Sequence, residues 1–318
     1  MRAIVLDEPG RLVEREVADP VAGAGEVVIE VAACGVCRTD LQIYQGDLAM
    51  RRRPLIPGHQ VVGRIAATGE RVGVAWLHGA DGTCPACRRG LENLCPNAEF
   101  TGWTADGGYA ELIAARRDFV FALPEEFTDL AAAPLLCAGI IGYRSLRLAG
   151  AGAGGRLGLF GFGSSAHLAI QVALHQGCEV AVFTRSPRER ELAERLGAAW
   201  TGGYDDRAPW PLDSAVTFAP VGSVVVAALR ALAPGATVAV NAIHLDEMPA
   251  FSYDLLWQER CIRSVANFTR RDATEFLALA AAIPIEAQVQ EFPLAAAGEA
   301  LDRLAAGEIS GSAVLTVG

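Results

Sequence analysis

Between residues 156 and 268 the chain alternates short apolar runs with amphipathic stretches, and that alternation restricts its fold more than any other feature. RLGLF, EVAVF, the AAW region, DSAVTF, ATVAVN and CIRSVANF read as strands, and SSAHLAIQVALHQ, SPRERELAERLG, VGSVVVAALRALAPG and SYDLLWQER read as helices. Parallel strands need long crossovers, which are usually helical, so strand and helix in turn imply a parallel sheet covered on both faces. Six strands match a complete doubly wound Rossmann domain, an α/β fold.

The first strand-to-helix turn of this region is GFGSSA. Gly161 permits a tight turn, Gly163 lets the backbone approach a pyrophosphate, and Ala166 keeps the helix close to the sheet, with Ser164 and Ser165 opening the helix beside the phosphates. The motif alone is weak, but its place after a strand and before a helix makes it a dinucleotide site. About 20 residues on, where NAD enzymes usually carry an acid for the ribose hydroxyls, the sequence reads FTRSPRER. Thr184, Arg185, Ser186 and Arg188 offer two hydroxyls and two guanidinium groups, which suit a 2'-phosphate and favour NADP over NAD; the bland alternative is that both arginines are solvated charges at a helix start.

The rest of the 318 residues leaves room for a second domain, and 52% hydrophobic with 20% charged residues marks a globular chain. A net charge of −10 argues against nucleic acid as a partner, since phosphate neutralisation needs a basic patch. The only basic run, Arg51 to Arg53, reads as a solvated loop. The start MRAIVLDEPGRLVERE breaks its apolar run with Asp7 and Glu8, so it does not read as a signal peptide. The longest apolar stretch, LAAAPLLCAGIIGY, has the length of a buried helix rather than a membrane span. A cytoplasmic protein follows, whose eight cysteines are expected to be reduced thiols or metal ligands. All 27 positive side chains are arginine, which excludes Schiff-base, P-loop and general-base lysine chemistry.

Five of those cysteines fall into two sets. Cys37 in CGVCRTDLQIYQGD, His59 in PLIPGHQVVG and Cys137 in PLLCAGIIGY lie about a hundred residues apart at the extremes, joined only by folding. Two cysteines and one histidine with a fourth position open form a catalytic zinc set of the kind alcohol dehydrogenase uses. In GADGTCPACRRGLENLC, residues 79 to 95, Cys84, Cys87 and Cys95 have the spacing of a structural zinc lobe, but the CxxC interval counted back from Cys84 lands on Asp81. Cys34, Cys178 and Cys261 read as small buried hydrophobes, and His78, His167, His175 and His244 as structural or surface residues.

With these motifs in this order, the whole chain resembles the zinc-dependent medium-chain alcohol dehydrogenase family, and within it bacterial zinc-binding alcohol dehydrogenases with an EFTGW segment, here residues 99 to 103. The resemblance implies a GroES-like, β-rich catalytic domain over residues 1–138 and 269–318, with the Rossmann domain inserted at 139–268. It implies hydride exchange between a small alcohol, aldehyde or ketone at the catalytic zinc and NAD(P), in a homodimer or homotetramer with no membrane partner. Carried over residue by residue, Cys37, His59 and Cys137 are the catalytic zinc ligands and Thr39 accepts the alcohol proton. Asp40 orients His59, Arg38 and Arg270 meet the cofactor pyrophosphate, and Tyr44 and Trp76 line the substrate pocket. Asp81 with Cys84, Cys87 and Cys95 would hold a second, structural zinc; an empty lobe is the alternative.

The chain departs from the family in four places. Gln60 follows His59 where a glutamate is usual, and Gln42 replaces a histidine that relays a proton. GRIAATGERVGVAW is shorter than in relatives, and Asp81 stands for a cysteine. Two rival readings are therefore kept: a zinc-free quinone-reductase-like relative, opposed by the intact ligand triple, and a catalytically silent nucleotide-binding protein, kept alive by Gln60 and Gln42.

Overall fold

The computed structural model describes residues 1–318 and begins with an antiparallel hairpin of β1 (Arg2–Glu8) and β2 (Arg11–Glu16). Next come β3 (Glu26–Val36), α1 (Arg38–Gln45), β4 (Gln60–Ile65), β5 (Arg71–Val74), β6 (Leu77–Gly79), β7 (Glu99–Phe100), β8 (Leu112–Arg116) and β9 (Val120–Ala122). β3, β4, β5 and β9 pair antiparallel in that order, and β8 pairs antiparallel with β3. Their valines and isoleucines, among them Ile29, Val31, Val61, Val72, Val74 and Ile113, turn into one core, as β-branched side chains do on a half-buried pleated surface. Residues 66–70 close the β4–β5 hairpin, with Gly69 N–H donating to the Ile65 carbonyl at 2.7 Å, so the short connection is a complete turn.

LAAAPLLCAGIIGY does not make one helix. α2 (Asp129–Ala132) passes into a 3₁₀ turn over residues 133–136, and the backbone leaves the helical region at Cys137, with φ −130° and ψ −71°. Pro134 lacks the N–H that would bond to the Leu130 carbonyl, which accounts for the passage from α2 into the 3₁₀ turn. α3 (Ala138–Ala149) then starts afresh.

β10 (Arg156–Phe160), α4 (Ser164–His175), β11 (Glu179–Phe183), α5 (Pro187–Arg195), β12 (Trp200–Gly202), β13 (Leu212–Thr217), α6 (Gly222–Ala231), β14 (Leu232–Val240) and β15 (Cys261–Ser264) follow. The six strands are all parallel, in the order β12-β11-β10-β13-β14-β15. This is the order of a doubly wound Rossmann sheet, reversing beside β10. SYDLLWQER departs from expectation, forming only a single 3₁₀ turn at Tyr253–Leu255. Leu255 and Leu256 pack against the core, but Gln258 and Glu259 take positive φ, 72° and 62°, which ends any helix, and Tyr253 and Trp257 remain 67% and 60% exposed. Cys261 is exposed rather than buried, while Cys34 and Cys178 are buried as expected.

The chain ends with α7 (Arg270–Ala282), β16 (Val289–Pro293), α8 (Ala297–Ala305) and β17 (Ser312–Thr316). β17 pairs antiparallel with β3 and parallel with β16, which completes a seven-stranded sheet. Two compact units result, Met1–Cys137 with Asn267–Gly318, and Ala138–Ala266. No helix is long and apolar enough to cross a membrane.

Candidate active site

Cys37, a candidate metal donor, is also the N-cap of α1. Its Sγ accepts the Thr39 N–H at 3.3 Å, and Asp40 Oδ2, three residues into the helix, accepts the Cys37 N–H at 2.9 Å. This is a capping box with cysteine in place of serine, and it satisfies two N–H groups that the helix start leaves free. The second carboxylate oxygen, Oδ1, lies 3.1 Å from Nδ1 of His59. One buried aspartate thus fixes the helix that carries Cys37 and the imidazole that faces it, leaving His59 Nε2 to point at the thiol, 3.2 Å from Cys37 Sγ.

His59 enters β4 through Gly58, whose φ is +94°. A Cβ there would stand 2.3 Å from the Tyr109 ring and 2.8 Å from Cys34 Sγ, so both backbone and space demand glycine. Gln60 continues the strand with its side chain packed over Gly35 and 2% exposed. Cys137 comes from the helix break described above, behind a fully buried Ala133 and Leu135–Leu136 turn. Cys37 Sγ, His59 Nε2 and Cys137 Sγ converge: the candidate ligand atoms all lie within 4.8 Å of one another. The Cys37 thiol is held well below its usual range, first by its hydrogen bond with Cys137 and then by His59, while Cys137 is pushed up by sharing that bond and by burial. Burial works against a charged His59, but the charges of Asp40 and Cys37 outweigh it and raise its pKa.

The second cluster is Asp81, Cys84, Cys87 and Cys95, again with candidate ligand atoms within 4.8 Å of one another. Asp81 Oδ1 accepts the N–H groups of Thr83 (2.8 Å) and Cys84 (2.9 Å), and Oδ2 accepts Asn97 Nδ2 at 2.9 Å. Those bonds, the Cys84 N–H foremost, hold its carboxyl well below the usual range. Desolvation first, then the Cys84 thiol, push Cys87 up to about 12. Carboxylate oxygen is a normal zinc donor, so three thiols and one carboxylate suit a tetrahedral ion. Between Cys87 and Cys95, the buried Glu92 accepts both the backbone N–H (2.9 Å) and Nε (3.2 Å) of Arg270, tying the lobe to the start of α7.

Family models decide what these clusters belong to. A model described as the alcohol dehydrogenase GroES-like domain matches residues 23–125, and one described as zinc-binding dehydrogenase matches 166–282. The probable alcohol dehydrogenase AdhA of Mycobacterium tuberculosis (strain CDC 1551 / Oshkosh) is 50% identical over 313 residues, 94% of this chain and 90% of its own. The chain belongs to the zinc-type medium-chain alcohol dehydrogenases. An alcohol dehydrogenase of Geobacillus stearothermophilus is 33% identical over the full length of both chains. Among solved structures, a cinnamyl alcohol dehydrogenase of Sorghum bicolor superposes with a TM-score of 0.91 at 26% identity, over 99% of this chain and 97% of its own. The protein is thus an NAD(P)-linked alcohol dehydrogenase, built from a GroES-like domain and a Rossmann domain.

At the nucleotide turn of this dehydrogenase, Gly161 takes φ +88°, and a Cβ would stand 2.9 Å from the Ala219 nitrogen. Gly163 has nothing within 4 Å of where its Cβ would be, and Ala166 is fully buried, as the motif requires. Ser164 and Ser165 open α4. Thr184 is buried and its hydroxyl donates to Glu189, Ser186 caps α5 through the Glu189 N–H at 3.3 Å, and Arg185 lies 5.9 Å from the Tyr204 ring centroid. Arg188 is exposed on the first turn of α5. Glu189 is an acid near the strand end that sequence reading missed; the S-P-x-E capping pattern of SPRER was the available signal.

The remaining assigned residues separate. Trp76 meets His59 edge-on, centroids 4.8 Å apart, and stacks with Phe100 and Trp103, two rings of the EFTGW segment whose part went unread. Tyr44 instead engages the first hairpin: its hydroxyl donates to the Gly10 carbonyl at 3.3 Å and its ring packs on the core. Arg38 is exposed on the first turn of α1. Arg270, besides Glu92, lies 3.5 Å from Asp118 Oδ2 and over the Phe119 ring at 4.8 Å.

Proposed function

We propose that Cys37, His59 and Cys137 hold the catalytic zinc of this dehydrogenase, and that Asp81, Cys84, Cys87 and Cys95 hold a second, structural one. The convergence of Cys37 Sγ, His59 Nε2 and Cys137 Sγ, with Asp40 on the opposite nitrogen of the imidazole, carries the reading. A zinc ion bound there supplies Lewis acidity that lowers the pKa of an alcohol hydroxyl or polarises a carbonyl. The protein's own residues do the rest. Asp40 fixes the His59 tautomer and raises its basicity as a ligand. Thr39 Oγ1 would accept the hydrogen of the substrate hydroxyl while giving up its own hydroxyl hydrogen toward solvent, and a bound nicotinamide would supply the acceptor for the hydride. Gln42 cannot titrate, so that proton leaves through water. Gln60 removes one negative charge from behind the metal site, which favours binding of an anionic oxygen.

For the cofactor we favour NADP over NAD, with Arg185 and Arg188 on the 2'-phosphate and Thr184 and Ser186 shaping the strand end. The pyrophosphate rests on Gly161, Gly163, Ser164 and Ser165, and Arg38 and Arg270 are kept as cofactor-binding residues on the family resemblance; within its own unit Arg270 divides its charge between Glu92 and Asp118. The substrate is a small alcohol, aldehyde or ketone, with Trp76, and Tyr44 more remotely, shaping its surroundings. Assembly into a homodimer or homotetramer is supported by apolar surface at Ile243, Met248, Tyr253 and Trp257 in the unit Ala138–Ala266. A cytoplasmic location is proposed with it, in keeping with eight cysteines that form no disulfide.

Initial rates with NADPH and NADH against a common aldehyde test the cofactor reading. The specificity constant is expected to favour NADPH by about tenfold, and Arg185→Ala to remove most of that preference, one charge-assisted contact being worth about 1.5–3 kcal/mol. Equal use of both cofactors by the unaltered enzyme would overturn it.

A further inference from the structure

The basic run Arg51 to Arg53 divides on folding. Arg52 pairs with Asp106 at 2.9 Å, whereas the exposed Arg51 guanidinium meets no carboxylate and lies over the Trp103 ring, 5.5 Å from its centroid. Trp103 stacks on Trp76 at 5.8 Å and 14°, and Phe100 fills the angle between them, 5.3 Å from Trp76 and 5.5 Å from Trp103. Trp76 abuts His59. Trp103 Nε1 donates to the Ala49 carbonyl at 2.9 Å, which pins the loop carrying Arg51 to the wall. Burial falls along the row: Trp76 is 8% exposed, Phe100 and Trp103 are half-buried and Arg51 is exposed. An unbroken aromatic surface therefore runs outward from a proposed zinc ligand to a cation with no internal counter-charge.

A triangle of three rings, with Trp103 on the Arg51 side, offers dispersion contacts to an apolar chain. The cation at the far end makes that wall directional. A net charge of −10 gives a long-range field unfavourable to anions, and an arginine free of carboxylate on an aromatic face reverses that field locally. Guanidinium also suits carboxylate, which it can meet with two parallel N–H donors.

We propose that Trp76, Phe100, Trp103 and Arg51 form an extended substrate subsite, selecting alcohols or aldehydes whose apolar body ends in a carboxylate, with Arg51 as the specificity-determining residue. The proposal rests on the reading of Cys37, His59 and Cys137 as the catalytic metal site, so its test reads binding and turnover separately.

With the zinc-replete, full-length enzyme, specificity constants are measured for ω-hydroxydecanoate and for primary decanol, and binding of ω-hydroxydecanoate is followed by quenching of tryptophan fluorescence. The expected acid-to-alcohol ratio is about ten, the size of one exposed charge-assisted contact, expressed in KM and reduced by added salt. Arg51→Gln brings the ratio near one and weakens quenching in parallel; Arg51→Glu takes it below one. A ratio near one in the unaltered enzyme, or one that both substitutions leave unchanged, would overturn the subsite while leaving the catalytic assignment intact. Failure to oxidise either compound, with quenching still lost in Arg51→Gln, would keep the subsite and sink the catalytic assignment.

Discussion

Asp40 shows how one side chain can link folding to chemistry. Its two oxygens divide between the Cys37 N–H and the His59 imidazole, and both it and His59 are buried, so neither bond has water as a substitute. Asp40→Asn keeps the shape but loses the charge that orients and strengthens the histidine; zinc affinity, read by competition with a chromogenic chelator, is expected to fall about 10–100-fold. His167 makes the opposite case. It is fully buried on α4 with both ring nitrogens unpartnered by side chains, and desolvation pulls its pKa down to about 4. An unfolded histidine titrates near 6.5, so between pH about 6.5 and 4 the unfolded chain binds the extra proton and stability falls as the solution is acidified, by up to about 1.4 kcal/mol per pH unit. Thermal melts of His167→Phe across that range are expected to show a flatter slope than the unaltered protein; an unchanged slope would assign the effect elsewhere.

At the scale of elements, the cysteine lobe is not a free appendage. Glu92, inside it, receives two bonds from Arg270, which also stands over Phe119 just ahead of the edge strand β9, so lobe, helix α7 and sheet edge share one arginine. Arg270 is partly exposed, which discounts the ion pair to about 1 kcal/mol. Glu92→Gln is accordingly expected to lower the melting temperature by about 2–4 °C and to speed metal loss from the lobe to a chelator. Elements also mark where the sequence was legible. The parallel sheet could be read because a period of strand and helix leaves few alternatives, and its order follows from the handedness of the crossovers. SYDLLWQER could not be read from its amphipathic pattern, because the positive φ of Gln258 and Glu259 ends any helix there and Tyr253 and Trp257 stay exposed. The end of α2 was signalled by Pro134 but hidden by the apolar run around it, and the break at Cys137 had no signal of its own.

For the molecule as a whole, residue types spaced far apart in sequence marked the candidate metal donors, and the fold brings their atoms together. What the sequence concealed were relations that exist only in three dimensions: the cap formed by Cys37 and Asp40, the sharing of Arg270 between Glu92 and Asp118, and the aromatic row that ends at Arg51. Gln42 and Gln60 raised the possibility of a silent binding protein, yet family membership and the convergent donor atoms point to an active dehydrogenase. The most direct test of that account is zinc per chain by elemental analysis, on protein purified without chelator, for the unaltered enzyme, Cys37→Ser and Asp81→Ala. Two ions per chain are expected, with each substitution removing one and only Cys37→Ser abolishing alcohol-dependent reduction of the nicotinamide. A zinc content that Cys37→Ser leaves unchanged would contradict the assignment of Cys37, His59 and Cys137 as the catalytic metal site.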